Sequence, residues 1–311
     1  MIETPIFLVG AERSGTTLLR LMLGHHPQIA FHQEFEFSVD QIDENGNFPD
    51  LADYYDYLSS HRIFLRTGFA IDKNLSYPQL INDFLLQRQK RDSKPLIGAT
   101  VHRNFDRLLS LWPKAKFIHI VRDGRDVARS NITMGWAGNL FTGVDLWITA
   151  EQLWRQLAQK LNPEQKLTVY YEILSKEPEQ VLREICQFIG VPFDQKMFDY
   201  AKQTNYDSPN ADAVERWRKL PAHDLQLAEC KIADLLTEHG YPLSGLPIIP
   251  VTSWLNWQML VHSRIKRILF RLRRYPFNLY VADVVSRRSP LKSWRKQVRL
   301  RLNEHEKKYL K

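Results

Sequence analysis

The run Ile6–Val9 is wholly apolar. A glycine-bearing turn separates it from Thr16–His25, where apolar residues recur at helical spacing. That change of period predicts a strand, a loop and a helix. The alternation returns further along the chain. Lys116–Val121 (KFIHIV) and Leu167–Tyr171 (LTVYY) read as strands, with another at Leu96–Ala99. Tyr77–Lys90, Asp106–Trp112, Arg125–Met134, Leu146–Leu161, Pro178–Ile189 and Asp224–His239 carry the helical period. Strands alternating with long helices predict parallel strands joined by crossover helices, and so a three-layer α/β fold around a central parallel sheet.

The segment Pro242–Pro250 (PLSGLPIIP) holds three prolines and a glycine, which suits a boundary. Beyond it lie two basic, aromatic-bearing helical stretches, about Trp254–Arg274 and Leu291–Lys308. The predicted organisation is a main domain over residues 1–245 and a mostly helical basic extension over 246–311. There are no internal repeats and no low-complexity tracts.

Composition narrows the class. Of 311 residues, 44% are hydrophobic and 25% charged, ordinary globular values that exclude disorder throughout. No apolar run is long enough to span a bilayer. The N-terminus lacks a basic region and a small-residue cleavage site, so no signal peptide is expected. Two cysteines, Cys186 and Cys230, are too few for a disulfide framework or a zinc site. The expectation is a reducing, cytoplasmic compartment and no metal. The net charge of +8 is unevenly placed: Val251–Lys311 carries 16 Lys and Arg against 3 Asp and Glu, leaving the first 250 residues at −5. The main body is mildly acidic, so a nucleic-acid-binding role is not expected from the bulk charge.

Gly10-Ala11-Glu12-Arg13-Ser14-Gly15-Thr16-Thr17 leaves a strand and opens a helix. Such a loop aims backbone N–H groups and a helix N-terminus at one spot, which attracts anions. Gly15 permits close approach, and the hydroxyls of Ser14, Thr16 and Thr17 add donors. The spacing nearly fits the nucleotide-triphosphatase loop G-x-x-x-x-G-K-[ST], but Thr16 stands where the lysine belongs. Arg13 is the nearest cation. A kinase or GTPase is therefore disfavoured. The plainer alternative is a helix start capped by Ser14 or Thr16.

A second site follows the strand Lys116–Val121. Ligands collect at the carboxyl ends of parallel strands, where Arg122 falls. Ser130 lies about two turns into the next helix if that helix begins near Gly124. A planar guanidinium and a hydroxyl could clasp a second phosphate. The alternative is a solvated helix start with Asp123 and Asp126 favouring the N-terminal dipole. Two anion sites on neighbouring strand ends point to a ligand with two separated phosphates.

The combination Arg13-Ser-Gly-Thr-Thr17 and Val121-Arg-Asp-Gly-Arg125…Ser130 resembles the sulfotransferase superfamily, which uses 3′-phosphoadenylyl sulfate. Arg13–Glu34 (RSGTTLLRLMLGHHPQIAFHQE) is most similar to the bacterial and tyrosylprotein branch. The similarity runs through Tyr171-Glu172 and Phe188–Pro192 to about Tyr241, and the basic tail lies outside it. The resemblance implies a P-loop-type nucleotide fold in which Arg13, Ser14, Gly15, Thr16 and Thr17 hold the 5′-phosphosulfate. It places Arg122 and Ser130 on the 3′-phosphate and Tyr171, at its strand end, near the adenine. The family's nucleotide-closing segment looks like Glu215-Arg216-Trp217-Arg218-Lys219, which would bring Arg216 and Arg218 to the bisphosphate. The alternative is that Trp217 simply packs a loop.

Sulfuryl transfer needs help in removing the acceptor's proton and in stabilising charge on the leaving oxygen. Arg13 and the loop hydroxyls suit the second task. For the first, Glu34 falls where the tyrosylprotein branch carries its catalytic glutamate, although Glu36 could equally claim the role. His102 matches the catalytic histidine of cytosolic sulfotransferases, whose motif is Lys-Thr-His; here Thr100 stands in the lysine position. Both Glu34 and His102 stay open. The rival readings are a P-loop small-molecule kinase and a non-catalytic nucleotide-binding scaffold. Phe35–Thr67 and Ala137–Val144 are the expected lids, and their aromatic content admits a glycan, lipid, peptide or small phenol as acceptor. In the tail, Trp254, Trp257, Leu260, Val261, Ile265, Ile268, Leu269 and Leu272 follow helical spacing among Arg264, Lys266, Arg267, Arg271, Arg273 and Arg274. The expectation is that this stripe packs on the main domain or on a second copy, making a homodimer. The alternative is peripheral contact with the inner membrane surface.

Overall fold

The structure is a computed structural model and describes residues 1–204, 209, 212 and 214–309. Five parallel strands form the sheet: β1 Ile6–Val9, β2 Ile29–Glu34, β3 Leu96–Val101, β4 Lys116–Val121 and β5 Lys166–Tyr170, in the order β2-β3-β1-β4-β5. β1 lies at the centre, with Ile6 in register with Gly98 on one side and Lys116 on the other. Alternate residues of β1 serve opposite cores, as the pleat requires. Phe7 and Val9 join Phe84, Val101, Phe117 and Trp154 on one face. Ile6 and Leu8 join Leu19, Met22, Ile118 and Ile185 on the other. Burial on both faces is why these strands read as continuous apolar runs.

Helix α1 (Thr16–His25) follows β1. Between β2 and β3 come α2 (Leu51–Leu58), α3 (Arg62–Thr67) and α4 (Tyr77–Asp92). The short α5 (Leu108–Leu111) precedes β4. Then α6 (Gly124–Thr133), α7 (Leu140–Gly143) and α8 (Asp145–Ala158) lead to β5. After it come α9 (Tyr171–Lys176), α10 (Pro178–Ile189), α11 (Tyr200–Gln203), α12 (Ala222–Glu238), α13 (Ser253–Arg274), α14 (Phe277–Ser286) and α15 (Lys292–Glu306).

Several elements differ from the sequence pattern. The stretch Asp106–Trp112 is a 3-10 turn followed by the single-turn α5. Trp112 precedes Pro113 and sits at φ −138° and ψ 86°, outside the helical region as a pre-proline residue tends to be. β5 ends at Tyr170, so Tyr171 opens a helix rather than closing the strand. β2, α2, α3 and α14 fall where the sequence pattern predicts no element.

The tail docks by two helices. Gly138 N–H donates to Ser263 Oγ at 3.0 Å, and Asn139 Nδ2 to the carbonyl of Met259 at 2.8 Å. A Cβ on Gly135 would stand 2.2 Å from the Phe270 ring, and one on Gly138 2.6 Å from Ser263 Cα, so these glycines form the seat of α13. Helix α15 lies over α2 and α3, where Lys296 Nζ reaches Asp56 at 2.9 Å and Arg62 reaches Glu306 at 2.6 Å. Among the described residues no helix is long and apolar enough to cross a membrane.

Candidate active site

The loop after β1 is held in left-handed backbone at Arg13 (φ 72°) and at Gly15 (φ 94°). Gly15 occupies the cap position of α1 with no side-chain cap bond, so neither Ser14 nor Thr16 is spent on capping. Ser14 is fully buried, and its Oγ has no hydrogen-bond partner among the described residues. A buried hydroxyl without a partner costs free energy unless something polar meets it. That makes the loop fit an anion at this point. A Cβ on Gly15 would stand 2.2 Å from Cδ2 of Tyr171, so the Tyr171 ring closes directly on the loop.

The second motif lies against the first. Arg122, one residue beyond β4, donates from Nη1 to the Arg13 carbonyl at 3.1 Å. Its guanidinium stands 4.3 Å from the centroid of the Tyr171 ring. Arg13 Nε in turn donates to Ser130 Oγ at 2.9 Å. The structure thus brings Arg13, Arg122, Ser130 and Tyr171 into one cluster at the carboxyl ends of adjacent strands. The helix that carries Ser130 begins at Gly124, with Asp123 as its cap, accepting the N–H of Arg125 at 2.9 Å.

Arg125 itself is fully buried. It forks onto Asp123 at 2.9 and 2.6 Å, reaches Glu229 at 2.6 Å, and lies 3.4 Å from the Trp217 ring centroid. Trp217 is buried and packs the 3-10 turn Arg216–Lys219 onto α6, where Arg216 N–H donates to Asp126 Oδ2 at 3.3 Å. The turn therefore adjoins the cluster. The side chain of Arg218 donates to Glu215 at 2.7 Å, and that of Arg216 to the Asp212 carbonyl at 3.0 Å.

The two candidate bases lie on the other side of the loop. β2 shifts register between His32 and Glu34, and Glu34 ends the strand exposed. Glu36 is buried and accepts the backbone N–H of His102 at 3.0 Å; its other oxygen has no hydrogen-bond partner among the described residues. Burial, opposed by His102 and helped by Glu34, pushes its carboxyl up to about 7. His102 Nδ1 lies 3.1 Å from the Gly10 carbonyl. A carbonyl can only accept, so Nδ1 holds the proton and Nε2 is left able to receive one. Glu34 and Glu36 line a cavity of about 440 Å³ that also holds Glu12, Arg103, Arg299 and Asn303. His102 lines a neighbouring one of about 360 Å³, which shares Glu12 and Arg103. Thr100, at the lysine position, is buried, and its hydroxyl has no hydrogen-bond partner among the described residues. Arg103 is the nearby cation, forked onto Asp40 at 2.9 and 2.6 Å.

Sequence reasoning missed Glu12, Arg103, Arg299 and Asn303. Arg103 was within reach, as the cation next to His102. The last two come from α15 and carry no local signal. Among the described residues no group of His, Cys, Asp and Glu is arranged to hold a metal ion.

The family model described as Sulfotransferase family matches residues 5–195. This chain belongs to the sulfotransferase family. Protein-tyrosine sulfotransferase A of Caenorhabditis elegans is 25% identical over 78% of this chain and 68% of its own length. The protein-tyrosine sulfotransferase of Drosophila melanogaster is 28% identical, over 76% of this chain and 51% of its own. An uncharacterized protein of Aquifex aeolicus (strain VF5) is 30% identical over 64% of this chain and only 27% of its own. The chain thus spans from about a quarter to two thirds of these relatives. The solved sulfotransferase domain of the Synechococcus PCC 7002 olefin synthase shares the fold, with a TM-score of 0.57 and 21% identity over 79% of this chain and 98% of that one. As a sulfotransferase, the chain is an enzyme that moves a sulfuryl group from a donor to an acceptor. The kinase reading falls with the same finding, in keeping with Thr16 in place of the loop lysine.

Proposed function

We propose that the donor lies across the cluster of Arg13, Arg122, Ser130 and Tyr171, and that its sulfur faces the cavity of Glu34. In this reading Arg13, Ser14, Gly15, Thr16 and Thr17 receive the 5′-phosphosulfate, and Arg122 and Ser130 the 3′-phosphate. Tyr171 stands beside the adenine, and Arg216 and Arg218 close over the bisphosphate from the adjoining turn. The observation that carries it is the Arg13–Ser130 bond, which joins the two anion motifs into one site.

The acceptor oxygen attacks sulfur while the bond from sulfur to the bridging phosphate oxygen breaks, and the phosphate leaves with the electron pair. Arg13 and the loop N–H groups meet that growing charge. The acceptor's proton passes to Glu34, which stands exposed in the cavity. His102 is the second reading, favoured by its Nδ1 contact with Gly10, which leaves Nε2 as the basic nitrogen. We further propose a phenolic hydroxyl, on a protein or a small molecule, as the acceptor; the relatives named as protein-tyrosine sulfotransferases support it. A phenol, ionising near pH 10, needs less help from a base than an alcohol. Cytoplasmic placement belongs to the same proposal, supported by the free thiols of Cys186 and Cys230. So does the division into a catalytic domain, 1–245, and an extension, 246–311, whose Arg299 and Asn303 wall the acceptor cavity.

The test is a pair of variants. Glu34→Gln should cut kcat with a tyrosine peptide at least tenfold and leave the Kd for adenosine 3′,5′-bisphosphate unchanged. If His102→Ala does this and Glu34→Gln does not, the base is His102. Loss of bisphosphate binding in both would overturn the placement of the donor.

A further inference from the structure

We propose that α13 is a peripheral membrane-docking helix, whose outward apolar face binds an anionic lipid surface. The direction of that face is fixed by its seat. Met259, Ser263, Lys266 and Phe270 meet the glycine-bearing segment at 135–139. The apolar stripe, at Trp254, Trp257, Val261, Ile265, Ile268 and Leu272, follows helical spacing on the opposite side. It does not pack on the main body, contrary to the expectation from sequence. Trp254 is 64% exposed, Trp257 54% and Ile265 52%, and the two tryptophans stack on each other with centroids 5.0 Å apart. From Trp254 to Leu272 this stripe runs about 27 Å along the helix.

So long an apolar stripe on a water-facing helix needs a covering surface. Charge selects among the occupants. Helix α13 carries Arg264, Lys266, Arg267, Arg271, Arg273 and Arg274, and no acidic residue. The segment from Val251 to Lys311 has 16 basic and 3 acidic residues. A second copy would bring the same charge to the same stripe. A nucleic acid would meet the arginines and leave the tryptophans and aliphatic chains in water. An anionic bilayer satisfies both: headgroups attract the arginines while the stripe enters the acyl boundary and the tryptophans settle at the interface. On α14, Phe277, Val281 and Val285 form a further exposed row at four-residue spacing, with Phe277 73% exposed. This surface is independent of the catalytic assignment.

The test is co-sedimentation of the full chain with vesicles of phosphatidylserine and phosphatidylcholine in equal parts, beside vesicles of phosphatidylcholine alone, at low and high salt. Binding to the anionic vesicles alone, weakened at least tenfold by high salt, is expected. Trp257→Glu with Ile265→Glu should abolish it, and Arg264→Glu with Arg267→Glu should weaken it at least tenfold. Both variants should keep their affinity for adenosine 3′,5′-bisphosphate, which shows that they are folded. Equal binding to neutral vesicles, or none to either, would overturn the proposal. So would a dimer, seen by light scattering, that Trp257→Glu with Ile265→Glu dissolves in a chain that ignores vesicles.

Discussion

The Nε of Arg13 donates to the Oγ of Ser130 at 2.9 Å, across 117 residues of chain. Arg13 leaves the end of β1 and Ser130 rides on the helix after β4, so the bond depends on those strands being neighbours. Arg122 locks the arrangement from below through the Arg13 carbonyl. On the proposed placement, the donor's two anionic ends would be read by groups that already touch each other.

Arg122→Ala removes the lock and, on the proposed placement, a cation for the 3′-phosphate. Loss of a charge-assisted contact of about 1.5–3 kcal/mol should weaken bisphosphate binding roughly 10- to 150-fold. Ser130→Ala removes a neutral hydroxyl and should cost less, about fivefold. Isothermal titration of both variants with adenosine 3′,5′-bisphosphate gives the comparison.

Gly15→Ala is expected to destabilise the protein by about 1–3 kcal/mol and to push Tyr171 off the loop. Two causes act together: the backbone at φ 94° and a Cβ placed 2.2 Å from the Tyr171 ring. Gly190 separates them, because its φ is 95° and nothing lies within 4 Å of its Cβ position. Gly190→Ala should show the backbone cost alone and leave bisphosphate affinity intact. Thermal melts and titrations of both variants make the test.

Glu36 gives the fold a pH dependence. Its carboxyl is raised from 4.5 to about 7 in the folded chain, chiefly by burial. The folded state therefore holds a proton that the unfolded chain releases, and its stabilising share is full below about pH 4.5 and is lost as pH rises through about 7. Glu36→Gln keeps an oxygen to accept the His102 N–H and has no charge to bury. The variant should gain stability over the native chain above pH 7, by about 1–3 kcal/mol, with little difference at pH 5. Urea unfolding at the two pH values measures it.

Arg125→Met should destabilise the protein by about 3–5 kcal/mol, since it leaves the carboxylates of Asp123 and Glu229 buried without their cation. It also removes one face of the support of Trp217, so the turn carrying Arg216 and Arg218 should become more open to proteolysis. Adding Glu229→Gln should recover part of the loss. Denaturant midpoints of the single and double variants decide it.

The strands with both faces buried were legible because their residues are almost all apolar, as in Ile6–Val9. β2 was not, since IAFHQE ends in polar residues. His32 is nevertheless buried 5.0 Å from the ring of Phe69, and burial lowers its pKa to about 3. The strand–loop–helix setting of the two anion motifs was legible because loop and helix start carry their own chemistry. Their mutual contact was not, because it depends on strand order. The direction of α13 also escaped: period locates an apolar stripe, while the glycines at 135 and 138 decide which side of the helix meets the body. Arg299 and Asn303 reach the Glu34 cavity only through the packing of α15 on α2 and α3, which no local spacing encodes.

That packing ties the site to the order in which the chain is made. The sheet and the cluster of Arg13, Arg122, Ser130 and Tyr171 need the chain only as far as α12, whose Ile232 packs in one core with Trp147, and chains fold from their N-terminus as they emerge. The wall at Arg299 and Asn303 arrives later, with α15. A chain stopped before α15 would therefore hold the two anion motifs together beside an open-sided cavity. Synthesis of α15 gives the cavity that wall.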